Sequence, residues 1–136
     1  MRIPRIYLAG KMLPSVRETI YESLKDVDVR LYSPLDKPKE TAIGDFVGWD
    51  LNAIRYADAV IVIDNPALMK GTMAEVGFAY ALKIPVVTVV MGRFIHPFLA
   101  YMSQLVTCDM EVLIEYIRKW VETGDWITAY YAVYDY

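Results

Sequence analysis

The stretch ADAVIVIDNPALMKGTMAEVGFAYALKIPVVTVV, residues 57–90, decides the fold. An apolar run over 59–63 ends in Asp64, Asn65 and Pro66, and a short loop leads on to Gly71. Residues 72–82 have the composition of a helix, and 85–90 form a second apolar run. Strand, loop, helix, strand in this order reads as a right-handed βαβ unit, because parallel neighbours need a crossover and crossovers are right-handed. The first loop of such a unit lies at the carboxyl edge of the sheet, where open α/β folds gather their ligands. Glu75 is then expected in the first turn of the helix that leaves this loop.

Outward from this unit the pattern repeats. Residues 3–9 are a short apolar strand closed by Gly10, and 16–25 carry apolar side chains at 16, 20 and 24, the spacing of one helical face. Residues 27–32 alternate apolar and polar, as a strand nearer the sheet edge does. Residues 33–40, SPLDKPKE, are a proline-rich charged loop. Helical spacing resumes over 46–56. After the central unit, 97–102 form a short helix, 105–108 a fifth strand, and 110–122 an amphipathic helix stopped by Gly124. A tail, 125–136, holds Trp126 and four tyrosines, Tyr130, Tyr131, Tyr134 and Tyr136, and is expected to bury its rings in the core or a subunit interface. Five strands alternating with helices predict an α/β fold: one domain over 1–136, with a doubly wound five-stranded parallel sheet of flavodoxin-like strand order, a three-layer Rossmann-like sandwich.

Composition narrows the class. The chain has 136 residues, enough for one substantial core, and its 56% of apolar residues predicts a buried sheet or a large subunit interface. No apolar run approaches the ~18 residues of a membrane span, and the first ten residues are too short in apolar character for a secretory leader. The single cysteine, Cys108, permits no internal disulfide and no multi-cysteine metal site, and is expected to pack as a small core residue. The cytoplasm is the expected compartment. A net charge of −3 without a Lys/Arg cluster disfavours a polymeric nucleic acid as partner.

Among chemistry-bearing residues Glu75 stands first. Thr72-x-x-Glu75 has the form of a capping box, in which the two side chains satisfy free N–H groups at a helix start. The same placement suits a nucleophile, since the helix dipole favours a carboxylate there. Gly71 and Gly77 would let a ligand and the neighbouring strand approach. The helix is apolar nearly all round, so it is expected to be buried, with Glu75 its one charged member before Lys83. Asp50, in WDLNAI, is either a solvated helix residue or a group facing the same crevice. Tyr7 is either a core ring or a third member of that cluster. Asp64 and Asn65, at a strand end, serve equally as turn caps or as hydrogen-bonding groups for a sugar or base. His96, the only histidine, precedes Pro97 in a loop and reads as a loop residue. There is no Walker A pattern and no GxGxxG, and Gly10-Lys11 stands where a receiver domain has its acidic pair.

These residues resemble a known family. IYLAG (6–10), WDLNAI (49–54), ADAVIVI (57–63), GTMAEVGFAYALKIPVV (71–87) and YYAVYDY (130–136) are similar, in order and over nearly the whole chain, to the nucleoside 2-deoxyribosyltransferases and the related deoxynucleoside 5′-monophosphate N-glycosidases. The resemblance implies a double displacement at the anomeric carbon of a 2′-deoxyribose. Glu75 matches the nucleophile that forms a covalent deoxyribosyl-enzyme. Asp50 matches the aspartate that serves proton transfer and holds the leaving base, and Tyr7 the tyrosine that positions the nucleophile. Gly10, Asp64, Asn65, Gly71 and the terminal Tyr136 are expected to bind substrate. No metal and no organic cofactor is implied. The partners are a 2′-deoxynucleoside and a free nucleobase, with no membrane, and a homo-oligomer with shared active sites.

The chain also departs from the family. Met69 stands where many transferases carry an acid six residues before the nucleophile. The Asn-Leu-Met segment that a neighbouring subunit supplies is not evident over 96–102. The loop after Gly10, KMLPS, lacks the Ser/Arg-rich run of the monophosphate hydrolases, although Lys11 or Arg17 remain as phosphate contacts. The aromatic ending favours the transferase, with the N-glycosidase as the alternative and a non-catalytic nucleotide-binding module as a third reading.

Overall fold

Central strands of a parallel sheet are covered on both faces and need continuous apolar sequence. The stretch that opened the reading supplies two of them. In the structure, a computed structural model describing residues 2–10, 14–34, 43–64 and 70–126, every residue of β3 (Ala59–Asp64) and β4 (Val86–Val90) is buried. The remaining elements are β1 (Arg5–Ala9), α1 (Pro14–Ser23), β2 (Arg30–Tyr32), α2 (Ile43–Arg55), α3 (Lys70–Ala81), α4 (Pro97–Met102), β5 (Leu105–Thr107) and α5 (Met110–Thr123). The five strands are parallel in the order β2-β1-β3-β4-β5, the flavodoxin-like arrangement that the sequence predicts.

Alternation along the strands sorts the core into two layers. Ile6, Leu8, Ile61, Ile63, Val87 and Val89 pack with Ile20 of α1 and Leu113, Ile117 and Trp120 of α5. Tyr7, Ala9, Val60, Val62, Val86 and Val90 pack on the opposite face with Ile54 of α2, Val76 and Ala79 of α3 and Leu99 of α4. Trp126, the one tail aromatic among the described residues, stacks on Trp120 at 4.2 Å between centroids. No helix among the described residues is long and apolar enough to cross a membrane.

Helix ends follow local chemistry. Asp109 caps α5 by accepting from the Glu111 N–H at 2.9 Å, and Gly124 closes it in the left-handed conformation, donating to Trp120 O. The end of α3 is closed by the same kind of turn without a glycine. Ile84 N donates to Ala79 O and Lys83 N to Tyr80 O, with Lys83 at φ 61°. The second strand is shorter than the alternation of 27–32 predicts. Val27 and Val29 are held in turn hydrogen bonds, Val27 N to Leu24 O and Val29 N to Val27 O, so pairing with β1 begins only at Arg30.

The switch point of the sheet lies between β1 and β3, where the crossovers leave in opposite directions. Gly10 ends β1 there at φ 99°, and a Cβ on it would stand 2.3 Å from the carbonyl oxygen of Ile63. Only glycine satisfies both the backbone angle and that contact.

Two substitutions test these turns by denaturant unfolding. Gly10→Ala is expected to lower stability by more than about 2 kcal/mol through a shift in midpoint at constant slope. Lys83→Gly, which relieves a left-handed lysine, is expected to raise it by about 0.5–1 kcal/mol.

Candidate functional site

Tyr7 lies in the middle of β1 with its side chain on the α2/α3/α4 side of the sheet, and it is fully buried. A phenol in that position fills core volume with its ring and needs a partner for its hydroxyl. Helices α2 and α3 pack against each other on this face and bring the partners. The Tyr7 hydroxyl donates to Oε2 of Glu75, in α3, at 2.5 Å. Asp50, in α2, stands within hydrogen-bonding reach of the same hydroxyl and adds its charge to that of Glu75. Burial, first, and the two carboxyls, second, push the tyrosine far above its ordinary value of 10.0. The phenol therefore stays protonated and remains a donor. Glu75 and Asp50 are half-buried, so the cluster is not sealed into the interior.

Thus the three residues Tyr7, Asp50 and Glu75, drawn from three separate elements, are brought together. The placement of Glu75 differs from the sequence expectation. Helix α3 begins at Lys70, so Glu75 falls in its second turn and Thr72 lies inside the helix, where it is buried. Thr72-x-x-Glu75 therefore caps nothing, and the helix dipole, which acts within the first turn, is not what favours the carboxylate. The Tyr7 hydroxyl holds Glu75 by the hydrogen bond just described. The reason given for the glycines also changes: a Cβ on Gly71 or Gly77 would meet nothing within 4 Å, so neither permits a close approach of a strand. Gly71 is exposed in the first turn of α3. Nor is α3 buried all round, because Tyr80, and Leu82 just beyond it, are exposed.

The other candidates divide. Gly10 sits at the switch point. Asp64 ends β3 on the same sheet face as Tyr7, only 3% exposed, and burial raises its pKa while His96 pulls it down. His96 is more than a loop residue: its Nδ1 accepts from Phe98 N at 3.2 Å and starts α4, with Pro97 in the first turn. The His-Pro pair was the sequence signal for that cap. Cys108, expected in the core, is exposed. Asp58 of the ADAVIVI segment works at the opposite edge of the sheet. Its carboxylate accepts from the Arg5 N–H at 2.8 Å and from the Arg2 guanidinium, and its own N–H donates to Arg5 O, pinning the start of β1. Asn65, Met69, Lys11 and Tyr136, with the rest of the tail beyond Trp126, lie outside the described residues.

A cavity of about 720 Å³ lined by Arg2, Asp58, Trp120 and Trp126, among others, opens at the amino edge and takes in none of Tyr7, Asp50 and Glu75. Size alone does not single out the candidate site here, which is instead the place where two carboxyls meet at one buried phenol.

Solved structures share this architecture. The 2-deoxyribosyltransferase of the psychrotolerant bacterium Bacillus psychrosaccharolyticus is similar with a TM-score of 0.67 and 23% identity, over 82% of this chain and 91% of that one. A CMP N-glycosidase of Clostridium botulinum is similar with a TM-score of 0.55 and 15% identity, over 96% of this chain and 90% of that one. At these identities the likeness is one of fold. No curated protein matches the chain. The family model for nucleoside 2-deoxyribosyltransferase matches residues 6–112, well over half of the sequence and a span that contains Tyr7, Asp50 and Glu75. The chain belongs to the nucleoside 2-deoxyribosyltransferase family.

Proposed function

We propose that this chain is a single catalytic domain that exchanges the nucleobase of 2′-deoxynucleosides, with Glu75 as the nucleophile. The observation that carries the proposal is the Tyr7–Glu75 hydrogen bond of 2.5 Å with Asp50 on the same phenol. A Glu75 oxygen bonds to C1′ of the deoxyribose as the C1′–N bond breaks, and the departing base takes a proton that Asp50 picks up from water and passes on. The nitrogen of a second base then bonds to C1′, the Glu75–C1′ bond breaks, and the second base loses its proton through Asp50 to water. Two inversions give net retention. The oxocarbenium-like transition state gains from a carboxylate beside it, as in glycosidases that work through a covalent intermediate. Tyr7 fixes the rotamer of Glu75 while its proton stays on the phenol.

Hydrolysis of a deoxynucleoside 5′-monophosphate would use the same first step with water as the acceptor. The phosphate would need a cation near the β1–α1 loop. Of the two candidates, Arg17 is half-buried with its guanidinium 4.2 Å from the centroid of the Tyr21 ring on its own helix, and Lys11 lies outside the described residues. Exposed aromatics on α3 and α4, Tyr80, Phe98 and Tyr101, with Tyr101 80% exposed, support a second copy covering this face and a site completed across the interface.

Intact-protein mass after mixing with a 2′-fluoro-2′-deoxynucleoside tests the nucleophile. Wild type is expected to gain one fluorodeoxyribosyl group, mapped to Glu75, and Glu75→Ala to gain none. Absence of the adduct on wild type, or its presence on Glu75→Ala, overturns the assignment. Glu75→Gln is expected to cut turnover roughly 10³-fold or more, and Asp50→Asn by about 10²–10⁴-fold, with both variants folded. Incubation with deoxyinosine and free cytosine should yield deoxycytidine; deoxyribose 5-phosphate released from a monophosphate alone would identify the hydrolase instead.

The raised pKa of Tyr7 also sets a pH dependence. Unfolded chain releases the phenolic proton near pH 10, whereas the folded protein retains it. The stability that this group contributes is thus complete below about pH 10 and declines above it, by at most about 1.4 kcal/mol per pH unit. Denaturant midpoints of wild type and Tyr7→Phe, taken from about pH 8 to about pH 11, should differ by a constant amount up to about pH 10 and converge beyond it.

A further inference from the structure

A stripe of α2 at helical spacing, Trp49, Asn52 and Ala53, continued by Tyr56 just past the helix end, faces the edge of the sheet across a cleft. The facing wall is made by Tyr32, the last residue of the edge strand β2, and Arg5 of β1. The cleft measures about 210 Å³ and is lined by none of Tyr7, Asp50 and Glu75. Tyr56 lies six positions beyond Asp50, just past the end of α2 and held to it by its N–H on Asn52 O, about 9 Å along the helix axis, so the far end of the cleft is clear of the carboxylates.

Its lining defines an occupant. Three aromatic rings offer stacking faces, the Asn52 amide presents a donor and an acceptor together, and the Arg5 guanidinium adds donors. The volume is below the ~300–1,000 Å³ of sites that take drug-sized ligands, which limits the occupant to one small ring system. A planar heteroaromatic ring with a hydrogen-bonding edge satisfies all three conditions; an aliphatic molecule leaves the amide and guanidinium unmatched, and a whole nucleotide does not fit. We propose that the cleft between β2 and α2 is a second binding site, separate from the Glu75 cluster, for a free nucleobase-sized heteroaromatic ring.

The cleft touches the elements that carry the chemistry. Trp49 precedes Asp50 in α2, and Tyr32 pairs in register with Tyr7 in the sheet. A ring seated there rests against the elements that carry Tyr7 and Asp50. The binding itself does not depend on the covalent step proposed above, and the two fail separately.

The three tryptophan indole N–H signals in a proton–nitrogen correlation spectrum read the site, with Trp49→Phe assigning the one at the cleft. Titration with adenine, and separately with cytosine, is expected to move the Trp49 signal saturably in wild type and equally in Glu75→Ala. Tyr56→Ala and Asn52→Ala are each expected to weaken the titration at least about fivefold, as loss of a stacking or edge contact does. Unchanged Trp120 and Trp126 signals certify that each variant is folded. The proposal is overturned by any of three results: no saturable shift of Trp49 with either base, loss of the shift in Glu75→Ala, which would place the base in the carboxylate crevice, or an affinity that neither Tyr56→Ala nor Asn52→Ala alters.

Discussion

A phenol carried into the middle of a parallel sheet must find a polar partner there, and in this chain the partner is the carboxyl of Glu75. That single contact ties the first strand to the third helix across most of the intervening sequence. It can form only if β1 lies beside β3, if α3 crosses back over the sheet next to α2, and if the register between Tyr7 and Val60 holds. Sheet order and helix packing thus converge on one hydroxyl group. Asp50 arrives at the same hydroxyl from α2, so two carboxyls that would repel each other meet at one neutral phenol.

The backbone around this contact is equally constrained. Gly10 lets the chain leave β1 against the Ile63 carbonyl, and the parallel strands β1, β2 and β3 all end at the carboxyl edge. Glu75 is set back from the start of its helix, in the second turn, so its carboxyl is presented from the flank of α3 toward α2. Its neighbours, rather than the dipole of its own helix, fix its position.

Much of the fold was legible because the strands are buried on both faces and announce themselves as apolar runs, and because Gly124 marks a helix end by local chemistry, whereas the cap that His96 makes before Pro97 reads in the sequence as loop. The start of α3 was misread because Thr72-x-x-Glu75 satisfies a local rule that the tertiary structure overrides: the helix already includes Lys70 and Gly71, and Glu75 has a stronger partner 68 positions away. Alternation over 27–32 overstated β2 because Val27 and Val29 are taken up in turns. Cys108 carried no pattern that could place it. The meeting of Tyr7, Asp50 and Glu75 is a property of packing; no spacing in the sequence encodes it, so the residues alone left it as one of two readings and the likeness to a family favoured it. The clamp formed by Asp58 was missed for the opposite reason, since an acid next to a strand start looks like any surface charge.

The distribution of contacts between the two ends of the sheet has its own meaning. Asp58 holds β1 at the amino edge, Arg118 ties α5 to Asp26 and to the Ser23 carbonyl at the end of α1, and Gly124 and the Trp120–Trp126 stack close the last helix on the same side. The Tyr7 cluster draws on other residues, from β1, α2 and α3. The bracing of the amino edge and the candidate chemistry thus have no side chain in common, and an engineer can rebuild the first while leaving the second untouched.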